Sequence, residues 1–324
     1  MPFPSKKEYP DERGLFVVQD PQVRARILPL FSFDPQAPAE RPVGHGTAFR
    51  IDPWGTCATA FHVVEDLLTV AGGQAVLRDD IRLAALEFEG IGYGTFALPK
   101  DSWRPFSGMF SLSRVDVPLV GTPRVRNVTE LAALSIERSG SANGPTPYLP
   151  IDMRQWQPKV GERVMALGFA DLDVDAHGEG DARAMSQYLY GSEAAICEIQ
   201  KPDLQTNRPW PVFRVEADWP GGMSGGPVFN EEGNVIGLVS TGLVGGGIGT
   251  ATSFAGWNVA EGTFRTLDPS NPGALLCWTA FDAEDRIVSY APAKDMLLPL
   301  VADGRATEIH ATALNPETGN YFLL

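Results

Sequence analysis

An all-β fold of many short antiparallel strands is predicted from three features of this sequence. Glycine and proline number 34 and 27 of 324 residues, a frequency that suits turns and strand ends and breaks helices. The apolar runs are short and are interrupted by Gly, Pro, Asn and Asp, the punctuation of strands rather than of long amphipathic helices. With 44% hydrophobic and 20% charged residues the chain can bury a full core, and its length suggests two folding units of ~150 residues each. No internal repeat is present.

Taken in order, Glu40 to Ile51 reads as a strand, Asp52-Pro53-Trp54-Gly55 as its turn and Thr56 to Ala60 as the returning strand. His62 follows at the mouth of a short helical segment, Val63 to Leu68. Alternating runs continue at Arg82–Glu89 and Phe110–Val117. The stretch Ser139 to Pro147, rich in Ser, Gly, Asn and Pro, reads as a linker between two units. Beyond it, Val160–Phe169, Ala194–Gln200, Val212–Ala217, Val228–Phe229 and Asn234–Thr241 supply further strands. Trp278–Phe281, Arg286–Tyr290, Met296–Val301 and Glu308–Ala313 alternate enough for strands or a short helix, and the tail Thr318–Leu324 ends apolar.

The chemistry concentrates in Gly221-Gly222-Met223-Ser224-Gly225-Gly226-Pro227, where one serine is surrounded by residues small enough for a nucleophile and an anion-binding backbone. Far upstream lies Ala58-Thr59-Ala60-Phe61-His62-Val63-Val64. These motifs resemble those of the trypsin-like, chymotrypsin-fold serine proteases, in particular bacterial intracellular relatives. The family's Gly-Asp-Ser-Gly-Gly-Pro is matched by Gly222 to Pro227 except at Met223, and its Thr-Ala-Ala-His-Cys is similar to Thr59 to Val63. Gly237-Leu238-Val239-Ser240-Thr241-Gly242 resembles the strand Gly-Ile-Val-Ser-Trp-Gly that pairs with bound peptide and walls the side-chain pocket.

The resemblance implies two six-stranded antiparallel β-barrels with a C-terminal extension. Residues 1–25 form an N-terminal segment, 26–265 the protease domain, with barrel one at about 26–140 and barrel two at about 150–265, and 266–324 the extension. It also implies roles: Ser224 as nucleophile, His62 as general base and the N–H groups of Gly222 and Ser224 as the oxyanion hole. The acid is open between two residues. Glu130-Leu131-Ala132-Ala133-Leu134 fits the family's Asp-Leu-Ala-Leu-Leu with Glu for Asp, whereas Asp116-Val117-Pro118 has the usual acid but a proline in the strand.

Met223 stands where digestive members carry the aspartate that pairs with a freed N-terminal amine, so activation by N-terminal clipping is not expected. For substrate contacts the resemblance points to Ser240, Thr241, Gly242 and Asp218. Asp218 lies six residues before Ser224, where trypsin carries the acid that selects Arg or Lys; the alternative is a small or apolar preference, with Asp218 capping a turn.

Other classes are disfavoured. A net charge of −14 repels phosphate backbones and anionic lipid, which argues against nucleic acid and membrane as partners and leaves protein or peptide as substrate. No run of ~20 apolar residues exists, and the first twenty residues lack a signal-peptide core. The three cysteines, Cys57, Cys197 and Cys277, are an odd and scattered set that indicates a reducing, cytoplasmic setting. Neither cofactor nor metal is expected: Asp171-Leu172-Asp173-Val174-Asp175 begins like a calcium loop but lacks the glycine and final glutamate, and His45, His177 and His310 are scattered. The extension could dock on the body, occupy the cleft or hold a regulatory partner. A protease-fold peptide-binding module without catalysis is the alternative function, and ester hydrolysis a weaker third.

Overall fold

Strand-forming stretches close into two rings because each supplies one apolar face or, in several cases, two. The computed structural model describes residues 9–37, 42–52, 55–72, 74–87, 95–97, 102–116, 124–136, 147–149, 157–172, 176–177, 184–186, 188–201, 210–240, 247–254, 274–291 and 294–323. The first half contains β1 (Leu15–Val17), α1 (Pro21–Arg24), β2 (Ile27–Phe33), β3 (Val43–Arg50), β4 (Thr56–Ala60), α2 (Phe61–Glu65), β5 (Leu68–Ala71), β6 (Gln74–Leu77), β7 (Arg82–Leu86), β8 (Thr95–Ala97), β9 (Trp103–Asp116) and β10 (Arg124–Ile136). The second contains β11 (Arg163–Gly168), β12 (Ala176–His177), β13 (Ala184–Ser186), β14 (Tyr190–Gln200), β15 (Val212–Val215), β16 (Pro227–Asn230), β17 (Val235–Val239) and β18 (Gly249–Ser253). The C-terminal extension adds β19 (Leu275–Phe281), β20 (Ile287–Ala291), a 3-10 turn (Lys294–Met296), α3 (Leu298–Ala302), β21 (Glu308–Leu314) and β22 (Tyr321–Leu323).

Barrel one is the closed antiparallel ring β10-β4-β3-β2-β7-β9. Barrel two runs β14-β11-β16-β17-β18-β15 and closes through pairing of β15 back onto β14. Closure leaves neither barrel a free edge in the ring. β1 lies outside this ring, pairing Leu15–Val17 with Ser192–Tyr190 along the same strand, β14, that β15 uses further on.

Phe31, Phe49, Phe61, Leu28, Leu30 and Leu134 fill barrel one, each at most 1% exposed, and such side chains contribute about 1.5–3 kcal/mol apiece when fully buried. Phe213, Val164, Val228, Ile236, Met223 and Leu15 share the core of barrel two. β2 is buried on both faces over most of its length, so its sequence shows no alternation to announce it. The same holds for β4, where Thr56-Cys57-Ala58-Thr59-Ala60 is buried throughout. α2 begins at Phe61, two residues before the expected start, because Phe61 is needed in the core.

The extension forms the four-stranded antiparallel sheet β20-β19-β21-β22, with Met296 to Val301 in helical turns. Its Ala274 and Ala313 join the larger core, and the tail pairs Tyr321–Leu323 with Leu314–Thr312. Residues 53–54 of the expected turn and 139–146 of the expected linker lie outside the described residues. No helix of the described residues is long and apolar enough to cross a membrane.

Candidate active site

Two strands of barrel one bring a histidine and a carboxylate together. β4 delivers the chain to Ala60, whose extended backbone ends the strand and starts α2, so His62 stands in the first turn of that helix. β10 pairs Leu131 with Ala60, which sets Glu130 beside that turn. Pairing of β10 with β9 shifts register between Asn127 and Ala132, and Glu130 falls in this irregular stretch, the kind of bulge that re-aims a side chain. The Glu130 carboxylate, 3% exposed as a residue, contacts His62 Nδ1 through Oε1. A carboxylate can only accept, so Nδ1 carries the proton and Nε2 is left as the basic nitrogen. A second carboxyl lies close by: that of Glu65 is raised, first by burial and then by Glu130 and Asp66.

The Ser224 loop is fixed from barrel one by Thr47 of β3, a fully buried residue. Its backbone N–H donates to the Ser224 carbonyl at 2.8 Å and its hydroxyl to the Gly222 carbonyl at 2.7 Å. The same oxygen accepts from the Phe169 N–H at 3.0 Å, and the Thr47 carbonyl accepts from the Thr59 hydroxyl at 2.7 Å. Gly225, with φ +84°, nests so closely here that a Cβ would collide with the Thr47 carbonyl and lie 2.9 Å from the Ala60 nitrogen. Gly225 follows Ser224 and Ala60 precedes His62 by two residues, so the Ser224 loop packs against the end of β4 from which His62 follows.

The directions of two backbone N–H groups follow from hydrogen bonds on the far sides of their peptide units. In a trans peptide the C=O and N–H point opposite ways. The Gly221 carbonyl is held by the Asp171 N–H at 2.8 Å, which turns the Gly222 N–H the other way. The Met223 carbonyl is held by the Gly226 N–H at 2.9 Å, which does the same for the Ser224 N–H. Among the described residues neither N–H has an acceptor. Gly222 adopts φ +89° against the Phe169 carbonyl, where a Cβ would clash, so glycine is required there. Two such donors, one on the serine and one two residues before it, can receive negative charge on an oxygen placed between them.

Met223 is fully buried with Leu15, Ala170 and Trp219 in the core of barrel two, with no charge to satisfy. Of the residues expected at the substrate pocket, Ser240 is buried and donates its N–H to the Thr250 carbonyl at 2.8 Å, while Asp218 is exposed just past the bend that follows β15. Trp219 beside it is buried against Gly249. Thr241 and Gly242 lie outside the described residues, as does the side chain of Asp116. The backbone of Asp116 pairs with Arg124, whereas Glu130 sits in the bulge opposite Leu112, four residues along β9 from Asp116 and thus roughly 13 Å away. Asp171 is paired with Arg13, and Asp173 to Asp175 are not among the described residues. No metal-ligand group is found among the described residues.

Thr47, Asp171 and Phe169 carry no signal in the sequence. Their contributions are contacts with a loop far away in the chain, and no local spacing encodes them.

Burial pushes the thiol of Cys57, in β4, up to about 12. A raised value means the fold favours the neutral thiol, so this contribution to stability is complete below its ordinary value of 9.0 and is lost as pH rises through about 12. At pH 8 a thiol reagent is expected to modify the partly exposed Cys197 in the native protein and reach Cys57 only on unfolding. Rapid native labelling of Cys57, read by mass spectrometry, contradicts this.

A family model described as a trypsin-like peptidase domain matches residues 46–238. One similar solved structure is Rv3671c from M. tuberculosis, a serine-to-alanine mutant in an inactive form; it is 17% identical, with a TM-score of 0.40 over 76% of this chain and 90% of that one. No curated protein matches the chain.

Proposed function

From the premise that this chain belongs to the trypsin-like peptidase family, we propose that it is a serine endopeptidase acting through an acyl-enzyme on Ser224. The observation that carries this reading is the buried Glu130 carboxylate on His62 Nδ1, at the junction that also holds the Ser224 loop. A module that only holds peptides has no need of such a pair.

In the mechanism, His62 Nε2 takes the proton of the Ser224 hydroxyl as Oγ bonds to the peptide carbonyl carbon. Glu130 stabilises the resulting imidazolium and keeps its orientation. Negative charge on the carbonyl oxygen is met by the Gly222 and Ser224 N–H groups, each such donor lowering the barrier by about 2.7–4 kcal/mol. The imidazolium then gives its proton to the leaving amine. Water, deprotonated by the same nitrogen, releases the acid and restores Ser224. Met223 in its apolar setting supports a site that forms without N-terminal cleavage. The free state of all three cysteines supports the reducing, cytoplasmic setting.

A fluorophosphonate probe is expected to label the wild-type chain once, on Ser224, and labelling is expected to vanish in Ser224→Ala. Absence of labelling in a folded wild-type protein that still binds peptide would instead establish the non-catalytic module.

A further inference from the structure

We propose that Arg13 is a positioning residue for the oxyanion hole, acting through Asp171, so that the N-terminal segment sustains activity while uncut. The proposal rests on the reading of Ser224 as nucleophile and adds to it a part of the chain that the three family motifs do not touch.

Asp171 faces two ways. Its backbone N–H donates to the Gly221 carbonyl at 2.8 Å and thereby aims the Gly222 N–H, one of the two anion donors. Its carboxylate receives Arg13 Nη1 at 2.6 Å. Asp171 holds φ +55°, a left-handed conformation that is costly for a residue with a Cβ and is tolerated here by a short polar side chain. A peptide between two glycines has little steric resistance to rotation, so the Gly221–Gly222 unit depends on this outside bond for its direction.

Arg13 is itself prepared. Asp11 accepts from the Arg13 N–H and the Leu15 N–H, both at 2.9 Å, and from Arg13 Nε at 3.2 Å, which closes residues 11–15 into a turn. The guanidinium is raised further above its usual range, chiefly by the hydrogen bond to Asp171. Immediately beyond, β1 is stitched to β14, and Leu15 is buried in the same core as Met223 and Ala170, the neighbours of the two loops in question. The segment is thus held on the body by strand pairing and burial, and Arg13 extends from that anchor to the turn behind the oxyanion peptide.

The test uses the full-length chain with Arg13→Ala, Arg13→Lys, Asp171→Asn and the double variant Arg13→Ala/Asp171→Asn. Asparagine tolerates the left-handed backbone, which separates loss of the pair from loss of the turn. Both groups are partly exposed, so each single variant is expected to lower kcat about fivefold, with KM nearly unchanged. The double variant is expected to be no worse than either single one, and Arg13→Lys to recover part of the loss. A peptide aldehyde, whose adduct carries the oxyanion, is expected to lose affinity in step with kcat. At 1 M salt the gap between wild type and variants is expected to narrow.

Amide exchange at Asp171, followed by NMR, is expected to speed up in Arg13→Ala while that of the barrel strands stays unchanged. Wild-type kcat in the single variants, additive losses in the double one, or unaltered Asp171 exchange overturns the proposal. Failure of the wild type to react with fluorophosphonate removes Ser224 as nucleophile, while the exchange rates still decide whether Arg13 holds the Asp171 turn.

Discussion

Glu130→Gln is expected to lower kcat by roughly 10⁴ with little change in KM, the size of effect found when the acid of such a triad becomes an amide. The cause is the tautomer. A carboxylate accepts from His62 Nδ1–H and leaves Nε2 free; a glutamine amide can present its NH₂ to the ring instead, which favours the proton on Nε2, facing the serine. The ring then has no lone pair for the hydroxyl proton. Glu130→Asp, one methylene shorter, is expected to fall between the two. Asp116→Asn is expected to be silent, because its backbone pairs with Arg124 at the start of β10, beyond the bulge that carries Glu130. Steady-state kinetics on the three variants decides the matter: full activity in Glu130→Gln with loss in Asp116→Asn reverses the assignment.

Thr47→Val carries the second large effect, about a hundredfold in kcat together with a lower melting temperature. Valine has the same shape, so the core stays filled. It lacks the hydroxyl, however, and leaves the Gly222 carbonyl and the Phe169 N–H without their partner. Each orphaned buried group costs about 1–3 kcal/mol, and the loop escapes part of that penalty by moving. Movement displaces the Gly222 N–H, and loss of one oxyanion donor costs roughly 10²–10³ in kcat. Thr47→Ser keeps the hydroxyl and is expected to stay within a few-fold of wild type. A Thr47→Val enzyme with normal kcat and reduced thermal stability would show that the threonine only holds the barrels together.

Much of the architecture is legible in the sequence because strand signals and motifs are local. Thr56–Ala60 reads with its observed ends, since Gly55 and the helical turn at Phe61 punctuate it on both sides. β11 and β17 lie within longer predicted runs. What stays hidden has physical reasons. β2 is buried on both faces and contains Pro29, so neither alternation nor propensity marks it. β1 has three residues and forms only because β14 offers an unpaired stretch. In the site, the glycine motif marks Ser224 by composition, and Glu130 stands in a recognisable pattern with a longer side chain than the family norm. The bulge that brings that side chain to His62 is a property of two paired strands and cannot be read from one. Thr47 belongs to the same class: its hydroxyl satisfies two groups of the other barrel.

The pairing of β1 with β14 also bears on biosynthesis. Leu15 pairs with Ser192, so the strand is synthesised well before the partner it needs. Barrel one needs nothing beyond Ile136 to close its ring, and such a unit can fold while synthesis continues. β1 cannot, and closing so long a loop places its docking among the late steps. If the proposed anion site leans on that strand, it forms only after β14 has been made and β1 has docked on it.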